Sequence, residues 1–178
     1  MTSNFSHTLS AMFSTKVKQS DIKSDGIGLT MVGKPAFAGV PITWFKTTDY
    51  YPIKMKSGMY KTSKTIGIQN NPRAGDVSGT VLMSHVENSS AGRRQYIAGE
   101  FMCGDFSLML HNTLEANGIR CAYIIANLMK GTRHALCAFN TTDSDVIFID
   151  MTIKNKIYME DTFREKYAPK VKNMQFLV

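Results

Sequence analysis

The residues of this 178-residue chain whose types and order could do covalent chemistry are Cys103, His134 and Asp150. A cysteine nucleophile needs a thiol held as thiolate, a histidine to manage its proton, and an acid or amide to orient that histidine. Cys103 sits where Gly99-Glu100-Phe101-Met102 turns into a helix-like run, and the N-terminal dipole of a helix favours a thiolate. His134 follows 31 residues later in a strand-like run, and Asp150 a further 16 on at the end of the next. Asp150 also needs a partner. It closes the apolar run Ile147-Phe148-Ile149, and a carboxylate buried without compensation is costly.

The elements that must position these groups can be read from the pattern around them. A helix from Cys103 to Asn117 is predicted by Phe106, Leu110 and Leu114 in phase, with Leu108 and Met109 widening the stripe and Asn117-Gly118 as the stop. Three strand-like runs follow, Ile119 to Asn127, Arg133 to Asn140 and Val146 to Thr152. Helix followed by three strands implies an α+β fold with the helix packed across an antiparallel sheet. Lys156 to Met159 and Val171 to Val178 are further strand-like runs, with a helical segment over Glu160 to Tyr167. Upstream, residues 1–20 form a polar leader with a short helix through Phe5, Leu9, Met12 and Phe13. From Ile22 to Gly79 the chain is a strand-and-turn region with runs at Gly28 to Val32, Val40 to Phe45, Met59 to Lys61 and Thr65 to Ile68; Val77 to Val86 is a weaker helix. The expected organisation is residues 1–80 as leader and strand region of the same domain, and 81–178 as the core that carries the chemistry.

The segments Gly99 to Ser107, Glu115 to Tyr123, Arg133-His134-Ala135 and Val146 to Asp150 together resemble the core of the transglutaminase-like cysteine enzymes, over about residues 95–153. The resemblance implies a papain-like α+β fold, with Cys103 as nucleophile, His134 as general base and acid, and Asp150 as orienting carboxylate. It implies acyl transfer through a thioester, the chemistry of a cysteine protease or isopeptidase hydrolase when water resolves it and of a transferase when an amine does. The aromatic residue many relatives carry two positions after the histidine is Leu136 here. Candidate oxyanion donors are Gln95, the sole tryptophan Trp44, and the backbone N–H of Cys103.

Other arrangements carry less. Cys121 and Cys137 lie inside apolar strands and read as packing residues. His111 is eight residues beyond Cys103, about 12 Å along a helix axis, too far to be its partner. His134 and Cys137 fall three apart on one strand and face opposite ways, which argues against zinc, and neither metal nor cofactor is expected. Three cysteines in a chain able to fold without disulfides fit a reduced, cytoplasmic setting. No stretch reaches the ~18 apolar residues of a membrane span. Net charge +7 favours anionic partners without identifying one; the expected partner is the peptide or protein substrate that the resemblance implies, and acidic character would suit the charge. The spread of the basic residues argues against a nucleic-acid footprint. The rival readings are a transglutaminase-like binding module without turnover and a basic nucleic-acid-binding protein.

Strand parity supplies a geometric test. If Arg133 to Asn140 and Val146 to Thr152 pair antiparallel with residue numbers totalling 284, His134 and Asp150 are direct partners; at 286 they are diagonal neighbours on one face. An odd total would put Asp150 on the other face and abolish the triad.

Overall fold

The computed structural model describes residues 42–45, 50–54, 61, 64–143, 146–152, 156–159, 162, 163, 165 and 168–178. The leader helix, the run Gly28 to Val32, and most of Met59 to Lys61 and of Glu160 to Tyr167 lie outside these residues. Eight strands run β1 (Ile42–Phe45), β2 (Tyr50–Lys54), β3 (Thr65–Gln69), β4 (Ala122–Leu128), β5 (Arg133–Phe139), β6 (Ile147–Asp150), β7 (Lys156–Met159) and β8 (Val171–Leu177), among the described residues. Helices α1 (Gly79–Asn88) and α2 (Cys103–Ala116) and two short 3-10 turns (Ser90–Arg93, Ala168–Lys170) complete the set.

The main sheet has the order β1-β8-β4-β5-β6-β7, and β2 with β3 forms a separate two-stranded ladder. Every pair in the main sheet is antiparallel except β1 with β8. The expectation of an antiparallel sheet is corrected in this respect: β8 inserts between β4 and β1, and β1 reaches it in the parallel sense. Both strands were visible as apolar runs, but their pairing joins the two ends of the described chain, which no local pattern encodes. β2 was not anticipated, because Pro52 interrupts its alternation; the proline is tolerated in a ladder of only two strands.

Alternation along the strands gives the sheet two apolar faces. Ile124, Leu136, Ala138, Phe148, Met174 and Phe176 point to one, where Phe163 stacks on Phe148 at 4.1 Å. Cys137, Phe139, Ile147 and Ile149 point to the other, against Phe106, Leu110 and Leu114 of α2 and Leu82 and Val86 of α1. Phe106, Leu110 and Leu114 are the stripe that defines α2 in the sequence. Asn117-Gly118 ends it with Gly118 at φ 79°, and Ile119 N–H returns to the Leu114 carbonyl at 2.9 Å. Ser78 caps α1 by accepting from Val81 N–H, and Asp143 accepts from Gly79 N–H at 2.8 Å.

The β2–β3 ladder packs beside α2 on the same side of the sheet. Ile68, Tyr51 and Ile53 meet Tyr123, Ala135 and Leu177 there, with Cys103 and Leu108 at the margin. Asn112 on α2 pins β3 by donating to the Gly67 carbonyl at 2.9 Å and accepting from Gln69 N–H at 3.0 Å. His111 beside it is fully buried, with Nδ1 against Asn112 Oδ1 at 3.0 Å.

Burial dominates the His111 titration and lowers its pKa to about 4, so the folded state holds it neutral. The unfolded chain, with the ordinary imidazole value of 6.5, takes up the proton first. Stability from this group is therefore complete above pH 6.5 and lost as pH falls toward about 4. Urea titrations across that window should show the wild type losing roughly 3 kcal/mol relative to His111→Leu. Parallel pH dependence in the two proteins would contradict the neutral buried imidazole.

Candidate active site

β5 and β6 pair antiparallel with Cys137 opposite Ile149, Ala138 opposite Phe148 and Phe139 opposite Ile147. This is the 286 register, and His134 and Asp150 accordingly share a face as diagonal neighbours. The face is the one bearing Leu136 and Phe148, whereas α2 packs on the other. Cys103 therefore does not lie above His134 through the sheet. As the first residue of α2, it packs against the cluster of Ile68, Tyr123, Ala135 and Leu177.

His134 Nε2–H donates to Asp150 Oδ2 at 2.7 Å. The Cys103 thiol acts electrostatically on the same imidazole. Asp150 has no solvent exposure. Its other oxygen, Oδ1, accepts from Thr152 N–H at 3.0 Å and from Thr152 Oγ1–H at 2.6 Å. Thr152 was not singled out in the sequence, although a threonine two residues after an aspartate is a familiar local donor.

Electrostatics follow from this geometry. Burial alone would lower the His134 pKa, but hydrogen bonds to Asp150 and Cys103, with their charges, outweigh it and push the value up to about 10. For Asp150, burial pulls upward while His134 and Thr152 pull harder downward, holding the carboxyl below its ordinary value. An imidazolium beside a carboxylate on one side and a thiol on the other is suited to protonating a leaving group.

Cys103 is half-buried, while Cys121 and Cys137 are fully enclosed. Burial, followed by contact with Cys137, pushes the Cys121 thiol up, and Cys137 sits against the Ser107 carbonyl at 3.2 Å. The two side-chain oxyanion candidates fall on different parts of the chain. Trp44 is on β1, separated from β5 by β8 and β4, about 14 Å at ordinary strand spacing. Gln95 is exposed in the loop after the first 3-10 turn. Its neighbour Tyr96 was missed: the ring stacks over Phe106, and burial followed by proximity to Cys103 raises its pKa. Its position seven residues before the cysteine gave no periodic signal.

No family model and no curated protein matches the chain. Among solved structures, a Polyporus squamosus lectin bound to a human-type influenza-binding epitope aligns with TM-score 0.43 and 17% identity, over 58% of this chain and 39% of that one. A PSL1a–E64 complex aligns with TM-score 0.42 and 13% identity, over 63% of this chain and 53% of that one. The chain thus spans about half or less of the proteins it is matched to. Likeness of this degree assigns neither a family nor an activity. No helix among the described residues is long and apolar enough to cross a membrane.

The charge pair predicts a pH signature. The His134 contribution to stability is complete below 6.5 and fades as pH rises through about 10; that of Asp150 is complete above 3.8 and fades as pH falls. In Asp150→Asn the His134 ring should titrate well below the wild type, moving back toward 6.5, as read by NMR of the imidazole protons. An unchanged midpoint would show that Asp150 does not hold the imidazolium.

Proposed function

We propose that the chain is a cysteine-dependent amide-bond enzyme with a transglutaminase-like, papain-like catalytic core. The observation that carries the reading is a single one: the His134 imidazole bonds to the buried, fully hydrogen-bonded Asp150 carboxylate and feels the charge of the thiol that opens α2. Cys103 sulfur attacks the carbonyl carbon, and the electron pair displaced onto oxygen forms an oxyanion. The Cys103 backbone N–H, at a helix start where such groups have no partner within the helix, is the nearest candidate donor to it. Collapse expels the amine, His134 supplies its proton, and a thioester remains on Cys103. Water, deprotonated by His134, releases an acid; a second amine releases a new amide. Asp150 keeps the ring oriented and stabilises its positive charge throughout. The net charge of +7 favours substrates with acidic character around the bond attacked.

Limiting iodoacetamide at neutral pH should modify Cys103 before Cys121 and Cys137, as read by peptide mass mapping. Equal labelling of all three would remove the nucleophile assignment. On a peptide library, screened with and without a primary-amine acceptor, Cys103→Ala and His134→Ala should each lower turnover by about 10³-fold or more. The double variant should lose little beyond either single one, because the residues act as a unit. Full activity in Cys103→Ala would show that the reaction does not pass through this sulfur.

A further inference from the structure

The first turn of α2 holds a second charge system that the triad does not use. Asp105, in that turn, is almost fully buried, and its Oδ2 accepts from Met102 N–H at 2.9 Å. This curls a carboxylate back over the residue just before Cys103. Left alone, such an anion would oppose the formation of a thiolate two residues away. It is not left alone. Lys64, just before β3, forms an ion pair with Asp105 Oδ1 and also donates to the Glu100 carbonyl at 3.0 Å. One ammonium thus spans the nucleophile, tied to the loop before it and the helix turn after it. Beside this contact, Lys61 pairs with Glu100, and Lys61 N–H donates to the Gly99 carbonyl at 2.8 Å. Gly99 has φ 78°, a conformation that suits glycine, and a Cβ there would press on the Lys61 side chain at 3.3 Å.

We propose that Lys64 is a positioning residue for the Cys103 thiolate, offsetting the Asp105 carboxylate and fixing the Glu100–Met102 approach to the helix. This rests on Cys103 being the nucleophile and extends that reading to the β2–β3 side of the fold. Its physical content is a balance of charge. Asp105 completes the helix start by accepting from the backbone, and Lys64 cancels the field this would impose on sulfur. The ionisable groups on the elements about Cys103 are His134 on β5, backed by Asp150 on β6; Tyr96 and Glu100 in the preceding loop; Tyr51 on β2; Lys61 and Lys64 ahead of β3; and Asp105 on α2 itself. Among them Lys64 is the cation bonded to both chain segments that flank Cys103.

The test is the pH profile of Cys103 alkylation by iodoacetamide in the full chain, which needs no substrate. Lys64→Met should move the midpoint upward by about half a unit to one unit and slow labelling at neutral pH several-fold, while Lys64→Arg should keep the wild-type profile. Asp105→Asn retains a side-chain acceptor for Met102 N–H and should move the midpoint the other way. In the double variant Lys64→Met/Asp105→Asn the profile should return toward the wild type, because the uncompensated charge is gone. A merely structural brace would give no midpoint shift and a compounded loss in the double variant; either result overturns the proposal. Should Lys64→Met fail to fold by circular dichroism, Asp105→Asn decides alone, and an unshifted profile in it overturns the charge balance. Failure of wild-type Cys103 to label selectively would instead strike at the nucleophile assignment, and this inference with it.

Discussion

Asp150 is a carboxylate taken wholly out of water at the end of an apolar strand, and much of the architecture can be understood as meeting its requirements. An anion in such a place needs a positive partner and a hydrogen bond for each oxygen, or it takes up a proton and loses its charge. Thr152 fills one oxygen from within the same turn. The other must be met from across the sheet, and only a register that keeps β5 and β6 in even step brings His134 there. A slip of one residue would send every side chain of β6 to the opposite face and put Ile149 where the carboxylate now sits. The fit of Phe148 into one apolar cluster and of Ile147 and Ile149 into the other resists that slip on both faces at once. Core packing and the polar pair therefore specify the same register, a consistency that favours a single native arrangement.

On the other side of His134 the constraint changes character. The thiol is delivered by a helix start at the end of the sheet, and its place depends on how the chain enters α2. Met102 is extended at the N-cap position and has no polar side chain to serve as a cap, so Asp105 closes the first turn from within. The β2–β3 ladder then braces the entry through Lys61 and Lys64, while Asn112 secures that ladder to the middle of α2. Helix, ladder and sheet end thus meet around one sulfur.

Much of this was legible in the sequence, and the reasons are local. α2 shows its three-residue stripe and its Asn-Gly stop, and the strand runs Arg133 to Asn140 and Val146 to Thr152 narrow their possible registers through parity alone. The groups missed lack such signals. Tyr96 and Lys64 come close to the site through the path of loops, and neither sits on a face whose period could be counted. The pairing of β1 with β8 is set by which strand finds the open edge of β4, a matter of tertiary competition. That same order places Trp44 far from β5, although residue type alone made it a plausible oxyanion donor. The side of the sheet on which α2 lies was also beyond parity: alternation shows which residues share a face, not which face receives the helix.

The position of β8 has a consequence for the order in which the molecule can be built. It follows the other described strands in sequence, yet it lies inside the sheet, with β4 on one side and β1 on the other. During synthesis β4, β5 and β6 leave the ribosome first and can zip together as local hairpins, so His134 and Asp150 can meet early. Until β8 arrives, β4 offers an unpaired edge whose alternate residues are apolar, and β1 has no neighbour in the main sheet. β8 is the keystone of the sheet, and its departure would open the fold at the centre while leaving the strands that carry His134 and Asp150 paired.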